Sequence, residues 1–148
     1  LRDRRLRVYP WAERLSEKAR QRWVCITREK WREDFESVAD ELAGSSVYVT
    51  VDLDCLRSEE AITNWENGLF TAPEIAWALD QLRSRATIVG CDVCGAYSPQ
   101  KYARFFQTMA GKIDHPPQPD ENSETARSLN LRALQTIWPA LTGADSHA

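Results

Sequence analysis

A chain that sets a β-forming run between two stretches of helical period has few ways to fold. Here the run is "SVYVTVDL", residues 46–53. Ahead of it, Trp31, Phe35, Val38, Ala39 and Leu42 recur at helical spacing and stop at Gly44, a C-cap. Behind it, Thr71-Ala72-Pro73-Glu74 has the form of a capping box. Ile75, Ala78, Leu79 and Leu82 then supply the buried stripe of the helix it opens. The apolar and β-branched residues of the run are nearly continuous, which predicts that Val47–Leu53 is an interior strand covered on both faces.

The alternation continues in both directions. "WAERLSEKARQ" (residues 11–21) reads as a helix and "WVCIT" (23–27) as a strand, while "ATIVGCDV" (86–93) reads as a third strand. "PQKYARFFQTMAG" (99–111) is helical, and "HPPQPDEN" (115–122) is a rigid linker. A terminal helix from Ser123 to Leu141 carries Ala126, Leu129, Leu131, Leu134, Ile137 and Trp138. Helices alternating with strands predict an α/β fold with a mostly parallel sheet and right-handed crossovers. Three strands leave two open edges. We therefore expect residues 1–148 to be a single incomplete α/β domain, with strand–helix repeats over 23–142. The rest of the domain, another subunit or a homo-oligomer would then cover those edges.

Charge is uneven. Residues 1–22 hold eight Arg/Lys against three acids, a local +5, and the remainder has eleven basic and nineteen acidic residues, or −8. A basic arm can touch phosphate or pair with acids of its own domain. It has no aromatic interleaving or recognition motif, so no nucleic-acid partner is expected. No apolar run approaches membrane-spanning length and no signal peptide is visible, which leads to the expectation of a cytoplasmic protein. Cys91-x-x-Cys94 has metal or redox spacing but lacks a matching second pair, and buried reduced thiols are expected at Cys25, Cys55, Cys91 and Cys94.

The run ends in Asp52-Leu53-Asp54. Ligands of doubly wound folds gather beyond the carboxyl ends of the strands, and strand residues two apart point the same way. Both carboxylates then converge, and a divalent cation such as Mg²⁺ or Mn²⁺ would cancel their repulsion. The alternative is local: Asp54 caps the following loop and Asp52 accepts backbone or arginine hydrogen bonds.

From Val47 onward the chain resembles the C-terminal half of the ureohydrolases, the family of arginase, agmatinase and formiminoglutamase. "VYVTVDLDCL" is similar to that family's Ser-x-Asp-x-Asp strand, with Thr50 in the Ser place. "NGLFTAPE" (67–74) resembles its Gly-Gly-Leu-Thr turn, and "ATIVGCDVCGAYSP" resembles its next strand, which ends in Asp-x-x-Glu-x-Asn-Pro. "SETARSLNLRALQTIW" is similar to its terminal helix. The resemblance implies a three-layer α/β/α domain of which this chain is the C-terminal portion. It implies Asp52 bridging two Mn²⁺ ions and Asp54 binding one, with two ions only in a complete site. The activity implied is hydrolysis of a guanidino or amidino C–N bond of a small substrate. The alternative reading is a non-catalytic ureohydrolase-like domain with a structural or binding role.

The chain departs from the family's pattern. The family's other metal ligands lie in a first half built around a His and an Asp-x-His-x-Asp segment, whereas this sequence has only His115 and His147, neither in such a segment. The acid expected after the next strand falls at Gly95 or its neighbours and is absent, although Asp92 keeps the preceding one. No catalytic residue is assigned. Glu66, Asn67, Tyr97 and Ser98 are substrate-binding candidates because they sit in the loops beyond the strand ends, and Trp65 either lids the pocket or packs on it.

Overall fold

A computed structural model describes residues 28–98, 106, 109 and 124–144. The basic segment 1–22, the strand expected over 23–27, the linker 115–122, Cys25, His115 and His147 lie outside the described residues. So does most of the segment 99–111, of which Phe106 and Met109 are helical and exposed. The described chain is a mixed α/β structure with three helices and a two-stranded parallel sheet: α1 (Trp31–Glu41), β1 (Ser46–Asp52), α2 (Ala72–Arg83), β2 (Thr87–Cys94) and α3 (Glu124–Thr142). None of these helices is long and apolar enough to cross a membrane.

Local signals set the helix ends. At the end of α1, Gly44 takes a φ of 74° and donates its N–H to the carbonyl of Arg85 at 2.8 Å, which ties the turn before β1 to the start of β2. The capping box at α2 is complete. Thr71 accepts from the N–H of Glu74, and the Glu74 side chain accepts from the N–H of Thr71. The stripe of α2 buries Ala72, Ile75, Ala78, Leu79 and Leu82.

Two expectations are corrected. β1 is not covered on both faces by the described chain: Val47, Val49 and Val51 turn inward, while Tyr48, Thr50 and Asp52 are exposed, Tyr48 by 64%. The described helices pack on the valine side, and a run of β-branched residues reads alike whether or not its second face is covered. On the open face the Tyr48 ring lies over Gly90, where a Cβ would come within 2.7 Å of it. A bulge at Val89 creates this pairing, because Val47 stands opposite Ile88 but Tyr48 stands opposite Gly90.

The second correction concerns α3, which buries Ala126, Asn130, Ala133, Ile137 and Leu141. Leu131 and Trp138, expected in its stripe, are 51% and 47% exposed. The helix packs mainly against α2, and small alanines let two helices approach closely where Leu and Trp would hold them apart. Arg83 of α2 donates to the carbonyls of Ala140 and Leu141, satisfying the end of α3. The core centres on Leu53, Leu56, Ile137 and Leu141, each almost wholly buried. Beside it Trp31 makes edge-on contacts with Phe70 and Trp77 at 5.5 and 5.1 Å.

Candidate functional site

The sheet ends where the acidic pair begins. Asp52 is the last residue of β1, and a 3₁₀ turn, Leu53–Cys55, follows at once. The Asp52 Oδ1 accepts the N–H of Asp54 at 3.1 Å and caps that turn. The two-residue strand period therefore does not carry on to Asp54. Leu53 drives into the core instead, and the turn leaves Asp54 half-buried while Asp52 stays exposed. The two carboxylates still sense each other. Burial pushes the Asp54 carboxyl above its ordinary range and the charge of Asp52 adds to this, against a hydrogen bond from Thr63. The Oδ1 of Asp54 is buried with no hydrogen-bond partner.

The loop after the turn folds back along it. Gly68 donates to the Asp54 carbonyl at 2.6 Å, Phe70 donates to that of Cys55 at 3.1 Å, and Arg57 donates to that of Phe70 at 2.9 Å. A Cβ at Gly68 would stand 2.4 Å from the Cys55 carbonyl oxygen, so this approach needs glycine. Three asparagine amides hold the loop. Asn67 donates to the carbonyls of Leu56 and Ala61, each at 3.0 Å. Asn64 brackets the backbone of Ser98, donating to its carbonyl at 2.8 Å and accepting its N–H at 2.9 Å. Asn130 reaches from α3 and does the same for Ile62 at 2.8 and 2.9 Å. The Ile62 carbonyl also accepts the N–H of Tyr97 at 3.0 Å, which brings the chain after β2 against the loop.

These bonds place the substrate-binding candidates. Asn67 spends its amide on the loop, and Ser98 and Tyr97 are anchored there through their backbones. Glu66 and Trp65 stand exposed at the loop's tip. Sequence reasoning passed over Thr63, Asn64, Gly68 and Asn130. Asn130 did carry a signal, a polar residue inside the Ala126, Ala133, Ile137 spacing.

Gly95 follows β2 with a φ of 82°, and a Cβ there would meet Asp52 Oδ1 at 2.0 Å. A side chain at this position would strain the backbone and displace the Asp52 carboxylate, which favours glycine here. The cysteine expectation is corrected in part: Cys55 and Cys91 are half-buried and Cys94 is exposed. Cys91 lies on the core side of β2 and Cys94 on the open side, so the pair cannot act together. Burial pushes the Cys55 thiol up to about 12, and desolvation followed by Asp52 and Asp92 raises Cys94, so neither is a ready thiolate.

Among the described residues, no three or more His, Cys, Asp or Glu stand together in a group able to hold a metal ion. The pair Asp52–Asp54, with one buried acceptor left open, fits a hard cation only as part of a larger donor set. An open groove of about 640 Å³ between α2 and α3, lined by Asp80, Arg83 and Thr136 among others, includes neither carboxylate. No family profile, curated protein or solved structure matches the chain.

Proposed function

We propose that this chain supplies the carboxylate-bearing end of a manganese-dependent hydrolase of a guanidino or amidino C–N bond, as the C-terminal portion of a three-layer α/β/α domain. The observation that carries this reading is Asp54. Its Oδ1 is buried and unpartnered, next to Asp52, at the carboxyl end of a parallel strand pair. A buried carboxylate oxygen without a partner is costly unless a proton or a cation completes it. Asp52 and Asp54 would hold Mn²⁺, an ion suited to carboxylate oxygens, and the remaining donors would come from the rest of the domain or another subunit. When bound, such ions polarise the substrate and make water a nucleophile at neutral pH.

The chain's own residues prepare the site. The N–H of Asp54 orients Asp52, and the asparagine-held loop fixes the turn that carries Asp54. Support for the substrate class comes from the order of "VYVTVDLDCL", "NGLFTAPE" and "ATIVGCDVCGAYSP" along the chain. Because glycine stands at position 95 where an acid would be expected, an amino-acid substrate such as arginine loses a partner for its amino group, which favours another guanidino or amidino compound. The reading places the protein in the cytoplasm.

The test is turnover by the full-length gene product with Mn²⁺ on a panel of guanidino and amidino compounds, beside Asp52→Ala. Loss of activity in the variant supports the proposal and full activity ends it. A second reading, a non-catalytic domain of the same kind, is favoured by Asn64 and Asn67, whose amides serve the loop rather than a ligand. A folded wild type inactive on every substrate would select it.

A further inference from the structure

The chain holds four asparagines, and only Asn67 is followed by glycine. An Asn-Gly step is open to spontaneous loss of the side-chain amide, because glycine has no side chain to shield its own nitrogen from the neighbouring carboxamide. In that reaction the Gly68 nitrogen gives up its proton and attacks the Asn67 side-chain carbonyl carbon. A new N–C bond closes a cyclic imide, and the carboxamide nitrogen leaves with the proton as ammonia. Water then opens the ring on one side or the other, leaving aspartate or isoaspartate. No oxidant or cofactor is needed, only the freedom of the two groups to meet.

The fold withholds that freedom. The Asn67 amide is tied to the carbonyls of Leu56 and Ala61, each at 3.0 Å. The Gly68 N–H, which would have to be released for attack, is donated to the Asp54 carbonyl at 2.6 Å. Gly68 is also buried against the Cys55 carbonyl. Around this pair Trp65, Glu66 and Leu69 are exposed, so the step lies at the base of a loop within reach of water.

We propose that Asn67-Gly68 is a modification site guarded by the fold: Asn67 converts to aspartate or isoaspartate only when the loop opens, and the conversion then keeps the loop open. The second half follows from the donors. A carboxylate has no hydrogen to give, so the product sets a negative charge against two carbonyl oxygens that had been receiving bonds. Isoaspartate also adds a methylene to the main chain, which shifts the Gly68 N–H away from the Asp54 carbonyl. None of this requires a cation at Asp54.

The test ages the 148-residue chain at mildly alkaline pH, folded in buffer and unfolded in urea. Peptide mapping by mass spectrometry reads aspartate and isoaspartate at position 67 over time. Conversion should be at least about tenfold slower in the folded chain, because the hydrogen bonds of Asn67 and Gly68 must open first. Equal rates would overturn the guard. Hydrogen exchange of the Gly68 and Phe70 amides, which close the turn, then compares wild type with Asn67→Asp. Both amides should exchange about tenfold faster in the variant, while those of Ile75 and Leu79 in α2 keep their wild-type protection. Unchanged exchange at Gly68 and Phe70 would overturn the lasting opening. Should Asn67→Asp fail to fold, Asn67→Ala, which removes the donors without adding the charge, is read in the same way.

Discussion

Two carboxylates, Glu74 and Asp54, sit in comparable seclusion and meet opposite fates. Glu74 opens α2, accepts Arg28 at 2.6 Å and the Thr71 N–H at 2.9 Å, and has an Ala72 N–H beside it that is served in turn by Glu60. Burial pushes its carboxyl up, but the hydrogen bonds from Arg28 and Thr71 and the charge of Arg28 outweigh it, and the group lies below its ordinary range. Asp54 has the same kind of burial penalty, a like charge nearby and one orphaned oxygen, and it is raised. The difference teaches what separates a carboxylate whose oxygens are satisfied within the fold from one left short of partners. Burial alone does not decide it; the count of donors does.

The largest expected effect lies at the strand end. Gly68→Ala drives a Cβ into the Cys55 carbonyl, a backbone atom that cannot swing aside, and should cost about 2–3 kcal/mol in urea denaturation. A negligible loss would show that the turn under Asp54 yields, and the contrast with the rigid α2 cap would collapse.

Glu74→Gln weakens the ionic side of the comparison and should cost about 1–2 kcal/mol at neutral pH. Its folded carboxyl is lowered, so its contribution is present above the unfolded value and is lost as pH falls through the folded one. Denaturation of wild type and variant across acid pH should show the gap closing, and a constant gap would contradict a charge-based role. Thr71→Ala, which removes one half of the capping box, should cost about 1 kcal/mol by the same measurement.

The smallest effect has the opposite sign. Because Asp54 is raised on folding, the native state binds more protons than the unfolded one between the two values. Stability therefore falls as pH climbs from the ordinary carboxylate range through the raised one. Asp54→Asn should escape that fall and melt slightly higher than wild type at neutral pH in the presence of chelator, but not in acid. Thermal melts over a pH series decide it, and a lower melting point for the variant at neutral pH would mean the carboxylate is satisfied after all.

Features written within a few consecutive residues are legible in the amino-acid order. Thr71 and Glu74 announce their cap because the partners are three residues apart, and Gly44 marks the end of α1 because left-handed backbone favours glycine. The helix expected over Ser123–Leu141 is observed as Glu124–Thr142. Which side of that helix is buried is not legible. Leu131 and Trp138 outrank Ala126 and Ala133 in hydrophobicity, yet close packing on α2 selects the small residues and admits Asn130 for the sake of Ile62. The same holds for β1, where Val49 and Tyr48 are both good strand residues and only the helices beside the sheet distinguish their faces.

By itself, the sequence determined that helices and strands alternate, where α2 is capped, and that two aspartates stand one residue apart at a strand end. Tertiary structure alone decided that these aspartates are unequal. The strand stops at Asp52 because Leu53 enters the core and Gly68 and Phe70 return to bond the turn, so Asp54 leaves the strand's alternation. The one donor that bears on its carboxyl, Thr63, comes from the loop folded back over the turn, and Oδ1 is left without a partner. Local spacing sets which groups are near one another, but desolvation and partner count depend on chain segments that meet only on folding.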